Sequence, residues 1–232
     1  MTVCAIIPCY NVGARCIPVI EKTKSYVQRL IAIDDGSTDD TRDCIRKIGA
    51  ELVAFDRNRG KGFALLEGFS RALGEQGIEV VVTLDGDGQH DPGEIPSLLA
   101  AYSAGTGDLI IGARAGPWTS MPLRRRLANR CSTRLISRLC RQSLTDSQSG
   151  FRLISRRALE RLVPFLHPGR YETETQMLIL ASRLGFRISS VPIATIYSES
   201  TSAASSFHPL RDTFLVARVI CHALWRSRVN RS

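Results

Sequence analysis

The feature that most constrains this chain is the run Val80-Val81-Val82-Thr83-Leu84, which empties into Asp85-Gly86-Asp87-Gly88-Gln89-His90-Asp91-Pro92. A half-exposed strand alternates apolar and polar residues. This run does not, so it reads as a strand buried on both faces of a parallel sheet. Ligands of open α/β sheets bind beyond the carboxyl ends of the strands, which is where the carboxylate cluster stands. Asp85 and Asp87 are one glycine apart, so a turn can bring both toward one hard cation, and Gly86 and Gly88 permit backbone angles that other residues resist. Mg2+ or Mn2+ would bind there with few protein ligands and keep positions for phosphate oxygens. The competing reading of Asp-Gly-Asp alone is an acidic turn, so the rest of the chain must decide.

The first half repeats strand and helix. Strands are predicted over 3–7, 29–33, 51–55, 80–84 and 108–111, with helices over about 18–28, 41–48 and 63–73, and Asp39 or Asp40 caps the second helix. That alternation implies a mostly parallel, doubly wound sheet flanked by helices. Three polar loops then follow strands at one crevice: Pro8-Cys9-Tyr10-Asn11, Asp34-Asp35-Gly36-Ser37 and Asp85-Gly86-Asp87. Asn58-Arg59-Gly60-Lys61-Gly62 is glycine-rich but lacks the spacing and hydroxyl of a phosphate loop, and no Gly-x-Gly-x-x-Gly fingerprint occurs. A NAD enzyme or P-loop ATPase is therefore disfavoured. Carboxylates at 34 and 35 suit the donor edges of a base or ribose hydroxyls, and a metal at Asp85 and Asp87 would neutralise a diphosphate. Together they are the parts of a nucleotide-sugar site. For the Asp34-Asp35 loop alone, a helix-capping turn stands as the alternative.

Charge divides the chain. Residues 1–113 hold 11 Lys/Arg against 16 Asp/Glu, whereas residues 114–232 hold 20 against 6, all 20 of them arginine, and the whole is +9. Arginine forms bidentate bonds to phosphate, so the second half is expected to meet an anion: phosphate, nucleic acid or an acidic membrane surface. Solvated arginine faces are the plainer alternative. A helix over 123–141 places Leu127, Cys131, Leu135 and Leu139 four apart as one apolar face, ringed by arginines such as Arg125, Arg130, Arg134 and Arg138. It suits a bilayer surface or an anionic partner. Beyond it come the polar loop Asp146-Ser147-Gln148-Ser149-Gly150-Phe151-Arg152 and a helix over about 156–163. A further helix, introduced by Tyr171-Glu172-Thr173-Glu174, ends at Gly185. Residues 187–197 read as an edge strand because of Pro192, 198–206 as a linker, and 209–225 as a last amphipathic basic helix.

With 232 residues, 44% hydrophobic, the chain supports one substantial globule. No 18-residue apolar run exists; even 214–225 is broken by Arg218 and His222, so no membrane span is expected. The seven cysteines lack Cys-x-x-Cys spacing and read as reduced core residues, consistent with a cytoplasmic protein. Few aromatic residues interleave with the arginines, which argues against nucleic acid as the partner.

Assembled in order, Ile7-Pro8-Cys9-Tyr10-Asn11, Ile33-Asp34-Asp35-Gly36-Ser37-Thr38-Asp39, Asn58-Arg59-Gly60-Lys61-Gly62, Leu84 to His90, Asp146 to Arg152 and Val191-Pro192-Ile193 resemble the family 2 inverting glycosyltransferases. Within that family the resemblance is to the dolichyl-phosphate mannosyltransferase-like branch, which glycosylates polyprenyl phosphates, and it runs over about residues 3 to 213. It implies a Rossmann-like glycosyltransferase type A fold, with a catalytic domain at 1–197 divided into a nucleotide-sugar half (1–113) and an acceptor half (114–197). The reaction it implies is metal-dependent sugar transfer from a UDP- or GDP-sugar to a polyprenyl phosphate, at the inner face of the cell membrane. Pro8, Tyr10, Asn11, Asp34, Asp35, Ser37, Lys61 and Asp85 would lie around the nucleotide. Asp85, Asp87 and Gln89 would hold the metal, while Arg114, Arg125, Ser149 and Arg152 would face donor phosphates and acceptor. Asp87, Glu174 and Arg152 are the expected catalytic groups. Relatives usually carry glutamate after Tyr-Asn, where this chain has Val12. The alternatives are a soluble family 2 transferase acting on a glycan or protein hydroxyl, a sugar nucleotidyltransferase, and a non-catalytic nucleic-acid- or anion-binding protein. The nucleotidyltransferase lacks its glycine-rich N-terminal loop here.

Overall fold

Strand β1 (Val3–Cys9) sets the pattern for the molecule: Cys4 and Ile6 enter one apolar cluster while Val3, Ala5, Ile7 and Cys9 enter another on the opposite face of the sheet. A strand covered on both faces has no reason to alternate, which explains the unbroken apolar runs. The computed structural model describes residues 1–114, 123–170 and 172–194, and of 123–128 the backbone alone. The loop at 115–122, the proposed linker and last helix, and the side chain of Arg125 fall outside the described residues.

The elements follow as α1 (Cys16–Lys24), β2 (Arg29–Asp34), α2 (Thr41–Lys47), β3 (Glu51–Ala54), α3 (Lys61–Gly74), β4 (Val80–Thr83), α4 (Ile95–Ser103) and β5 (Leu109–Arg114). The second half adds α5 (Leu123–Cys140), β6 (Arg152–Ser155), α6 (Arg156–Leu162), α7 (Glu172–Arg183) and β7 (Ile188–Ile193). One seven-stranded sheet results, ordered β3-β2-β1-β4-β6-β5-β7. All neighbours are parallel except β6, which runs antiparallel to both β4 and β5. Helices α1, α2 and α4 cover one face through Val19, Ile20, Ile45, Ile95 and Leu98. Helices α3, α5, α6 and α7 cover the other through Leu65, Phe69, Ile136, Leu159 and Leu178. Each side chain of this size taken fully from water contributes roughly 1.5–3 kcal/mol.

The doubly wound, mostly parallel α/β architecture expected from the sequence is the one present. Helix α1 starts two residues earlier than predicted, so Pro18 lies inside the first turn, where its missing N–H costs no hydrogen bond. It stops at Lys24 because Gln28 is drawn to the sheet, its side-chain Oε1 accepting from Val3 N at 2.7 Å. Asp40 stands at the N-cap of α2 without a side-chain bond there, and Asp39 instead accepts from Thr41 N at 3.0 Å. Gly185 ends α7 in the left-handed conformation (φ 81°), and β7 with Pro192 is the sheet's edge, as predicted.

Two expectations fail. Residues 152–155 form a strand where the sequence suggests only a loop ending at Arg152 and then a helix from about 156. The apolar face of α5 is also not the predicted one: Thr133, Ile136 and Cys140 are buried, whereas Cys131 is exposed and Leu135 is 40% exposed. Steps of four residues advance about 400° on a helix of 3.6 residues per turn, so a line of residues four apart drifts off any one face. Spacing of three and four, as at 133, 136 and 140, stays on it. Of the predicted line, Cys131 and Leu135 are left toward solvent beside exposed Arg130, Arg134 and Arg138, Leu139 packs half-buried against the core, and the side chain of Leu127 lies outside the described residues.

Candidate active site

Strands β2, β1 and β4 are adjacent and parallel, so their carboxyl ends open on one crevice. The antiparallel β6 delivers the second half of the chain to the same place, because Arg152, its first residue, pairs with Thr83, the last of β4. Thr83 Oγ1 donates to Gly150 O at 2.8 Å and closes the 146–151 loop over Asp85. Gly86 lies directly on the end of β1, where a Cβ would come within 2.6 Å of Cys9 Sγ, and Gly88 takes a φ of 83°. These positions admit glycine alone.

Within that turn Asp87 accepts from Gln89 N at 3.0 Å. Asp85 meets Lys61 Nζ at 2.5 Å through one oxygen and His90 Nε2 at 3.5 Å through the other. The ring of His90 is buried and packs on Phe151, centroid to centroid 5.5 Å. Burial pushes the Asp85 carboxyl up, but the charge of Lys61 and the contacts of His90 outweigh it and hold the group well below the usual carboxylate range. Asp87 is shifted the opposite way, raised by burial and by the charge of Asp85. A carboxylate pair of this kind is relieved by a cation placed between them. Among the described residues no group of three or more His, Cys, Asp and Glu is arranged to enclose a metal. A cation here would therefore have two carboxylates and the Gln89 amide from the protein, and the rest of its coordination from phosphate or water. Those are all oxygen donors, which fits Mg2+ or Mn2+ and not zinc.

At the ends of β1 and β2, Asn11 adopts a left-handed backbone (φ 50°) and interlocks two loops: its N–H donates to Ser37 Oγ at 3.0 Å, and its side-chain oxygen accepts from Thr38 N at 2.9 Å. Pro8 and Tyr10 are half-buried beside it, while Val12 is buried in the core. Asp34 is fully buried and accepts from Ser37 N and Arg42 Nε. Asp35 accepts from Arg59 N at 2.7 Å, Gly60 N at 2.9 Å and Asn58 Nδ2 at 3.0 Å. Both carboxylates thus organise neighbouring loops, with oxygens already engaged inside the protein. Burial nevertheless raises the Asp35 carboxyl.

The second-half residues are paired as well. Arg152 is 1% exposed and its guanidinium donates to Ser149 O, Glu174 O and Ser147 O at 2.9–3.0 Å. It is therefore a buckle that ties the 147–152 loop to α7, rather than a phosphate ligand open to the crevice. Ser149 is buried and its Oγ accepts from Phe151 N. Glu174 points to Lys61, Oε1 to Nζ 3.2 Å. Arg114 forks onto the buried Asp146 at 2.7 and 3.1 Å. Burial would raise the Asp146 carboxyl, but Arg114 outweighs it and holds it below the usual range. A depressed carboxylate stabilises the fold above its unfolded value of about 3.9 and loses that contribution as pH falls through the folded value. We expect Asp146→Asn to cost about 2 kcal/mol near pH 7 and to remove part of the stability lost on acidification. Urea midpoints measured from pH 7 to pH 3 check this; parallel wild-type and mutant curves would refute it.

Sequence reasoning assigned no role to His90, Asp146 or Gly150. Asp146 did carry a signal, as the one acid between Arg114 and Glu160 in an arginine-rich stretch.

A model of the glycosyl transferase family 2 domain matches residues 4–163. The chain belongs to glycosyl transferase family 2. The transferase is 30% identical over 219 residues to the UDP-N-acetylglucosamine–dolichyl-phosphate N-acetylglucosaminyltransferase of Methanococcus voltae, covering 85% of this chain and 87% of that one. It is 30% identical over 210 residues to the undecaprenyl-phosphate mannosyltransferase of Micrococcus luteus, covering 86% and 85%. Its fold is similar to that of glucosyl-3-phosphoglycerate synthase from Mycobacterium tuberculosis, crystallised with Mn2+, UDP-glucose and glycerol 3-phosphate. There the TM-score is 0.67 and the identity 25%, over 96% of this chain and 78% of that one. The transferase thus shares the glycosyltransferase type A fold and falls with the polyprenyl-phosphate branch of its family.

Proposed function

We propose that the transferase is metal-dependent and inverting, and that it moves a sugar from a UDP- or GDP-sugar to a polyprenyl phosphate. The observation that supports this most is the meeting of Asp85 and Asp87 with the Ser149-Gly150-Phe151-Arg152 loop at one crevice, on a chain whose relatives are named for lipid-phosphate acceptors. Residues 1–113 are the donor half and 114–197 the acceptor half of the catalytic domain. Asp85, Asp87 and Gln89 would hold Mg2+ or Mn2+, which supplies positive charge against the diphosphate leaving group.

Lys61 stands beside them as a further cation for that charge, and Glu174 forms the anionic wall opposite. An acceptor phosphate oxygen attacks the anomeric carbon from the face opposite the diphosphate. The new bond to the phosphate forms as the old C–O bond breaks, and its electron pair leaves with the nucleoside diphosphate. Since a phosphate monoester has a second pKa of about 6, the acceptor is largely dianionic at neutral pH and requires no deprotonation by the protein. Electrostatic stabilisation of the leaving group is then the main catalytic contribution.

No helix among the described residues is long and apolar enough to cross a membrane. The solvent-facing side of α5, with Cys131, Leu135 and three arginines, instead suits a peripheral seat on an anionic bilayer at the cytoplasmic face. The test is incubation with radiolabelled UDP-glucose, UDP-N-acetylglucosamine or GDP-mannose, Mg2+ or Mn2+, and undecaprenyl or dolichyl phosphate. We expect one donor to place label in the organic phase as an acid-labile lipid phosphate sugar. Label appearing only on added glycan or protein would refute the lipid acceptor.

A further inference from the structure

We propose that Lys61 is a built-in counter-ion of Asp85, which surrenders the carboxylate to the metal when a nucleoside diphosphate arrives to accept the lysine ammonium. The inference rests on the reading of Asp85 and Asp87 as the metal-diphosphate site. It starts from an electrostatic anomaly. Lys61 is the first residue of α3, and a cation at a helix N-terminus opposes the helix dipole. The fold holds it there firmly: Gly60, with φ 109°, donates its N–H to Asp35, and Gly62 N donates to Gly169 O at 2.9 Å. What offsets the misplaced charge is the pair of acids across the crevice. The ammonium lies 2.5 Å from Asp85 Oδ1 and 3.2 Å from Glu174 Oε1.

A Cβ on residue 150 would stand 2.7 Å from both Lys61 Nζ and Asp85 Oδ2, so glycine is what lets the loop close over the pair. The side chains of Lys61 and Glu174 are only 16% and 10% exposed, which leaves that pair weakly screened, while Asp85, 30% exposed, keeps an edge open to the crevice. One ammonium is thus divided between two carboxylates, and one of the two is a proposed metal ligand.

Two consequences have opposite signs. A metal arriving alone must compete with Lys61 for Asp85 and binds weakly. A diphosphate offers the ammonium new anionic partners, so metal and nucleotide bind with positive, reciprocal coupling. Removing the ammonium removes the competition. Removing the second acid concentrates the ammonium on Asp85 and sharpens the competition.

The experiment is calorimetric titration of Mn2+ into the full chain, with and without UDP or GDP, each nucleotide's own Mn2+ binding being subtracted. For Lys61→Met we expect Mn2+ alone to bind about tenfold tighter and the nucleotide to add little, a coupling change within the usual range for linked sites. For Glu174→Gln we expect Mn2+ alone to bind several-fold more weakly than to wild type. Thermal unfolding of each variant shows that it is folded, and Glu174→Gln tests the idea independently if Lys61→Met is not. Shifts of the same sign in both variants, or wild-type affinity in both, would overturn the exchange while leaving the metal site standing. No saturable Mn2+ binding to wild type with either nucleotide would overturn the metal reading itself, and the exchange with it.

Discussion

Replacing Asp87 by alanine is expected to abolish sugar transfer and leave the fold intact. The carboxylate is one of two that would hold the metal, and loss of several kcal/mol of leaving-group stabilisation corresponds to a rate loss on the order of 10³-fold or more. Its contribution to folding is small by comparison, since the carboxylate accepts from the neighbouring Gln89 N within its own turn. The sign of its shift argues the same way. Burial and Asp85 raise the Asp87 carboxyl, so at neutral pH its ionised form opposes folding in the metal-free protein. Asp87→Ala should therefore unfold at the wild-type temperature or slightly above, with radiolabel transfer lost. Wild-type turnover in the variant, or undiminished wild-type activity in a chelator, would sink the metal assignment.

The second large effect is on stability and arises at Arg152. Substituting methionine keeps most of the volume but leaves the buried loop carbonyls of Ser147 and Ser149 without this donor, and takes a second donor from Glu174 O, which also accepts within its own helix. At 1–3 kcal/mol for each unsatisfied buried group, we expect a loss of about 4 kcal/mol or more, read as a lower denaturant midpoint. Arg152→Lys should rescue little, because one ammonium cannot span three acceptors that a planar fork reaches. A midpoint within experimental error of wild type would show that the loop is held by other contacts.

The strands of the first half are legible because each is a short apolar run that ends in a polar or glycine-containing loop, with carboxylates in the loops after β2 and β4, and the parallel order follows from alternation with helices. Strand β6 is not. Residues 152–155 begin with arginine and run straight into a helix, so neither length nor flanking turns marked them, and their pairing to β4 spans about seventy positions. The site divides similarly. Local spacing and resemblance single out Asp85, Asp87 and Lys61, and the structure brings Lys61 onto Asp85, but the acid and histidine around that pair carry no local signal. Arg152 reads as a phosphate ligand in the sequence because an arginine in a polar loop faces an anion more readily than three carbonyls, the farthest of them 22 residues away. The inward face of α5 was misjudged because Thr133 is polar, and its burial depends on a hydroxyl partner, Ser147, supplied by another loop.

The antiparallel β6 also governs the order in which this molecule can mature. Strand β5 does not pair with β4; it pairs with β6 and β7. A nascent chain that has emerged only through residue 114 therefore displays β4, with its four buried residues, as a raw sheet edge, and β5 has no place to dock. Unpaired apolar edges of this kind recruit other chains. The crevice that β1, β2 and β4 open on the first half therefore gains its second wall, the 146–151 loop, only with the strand that fills the centre of the sheet.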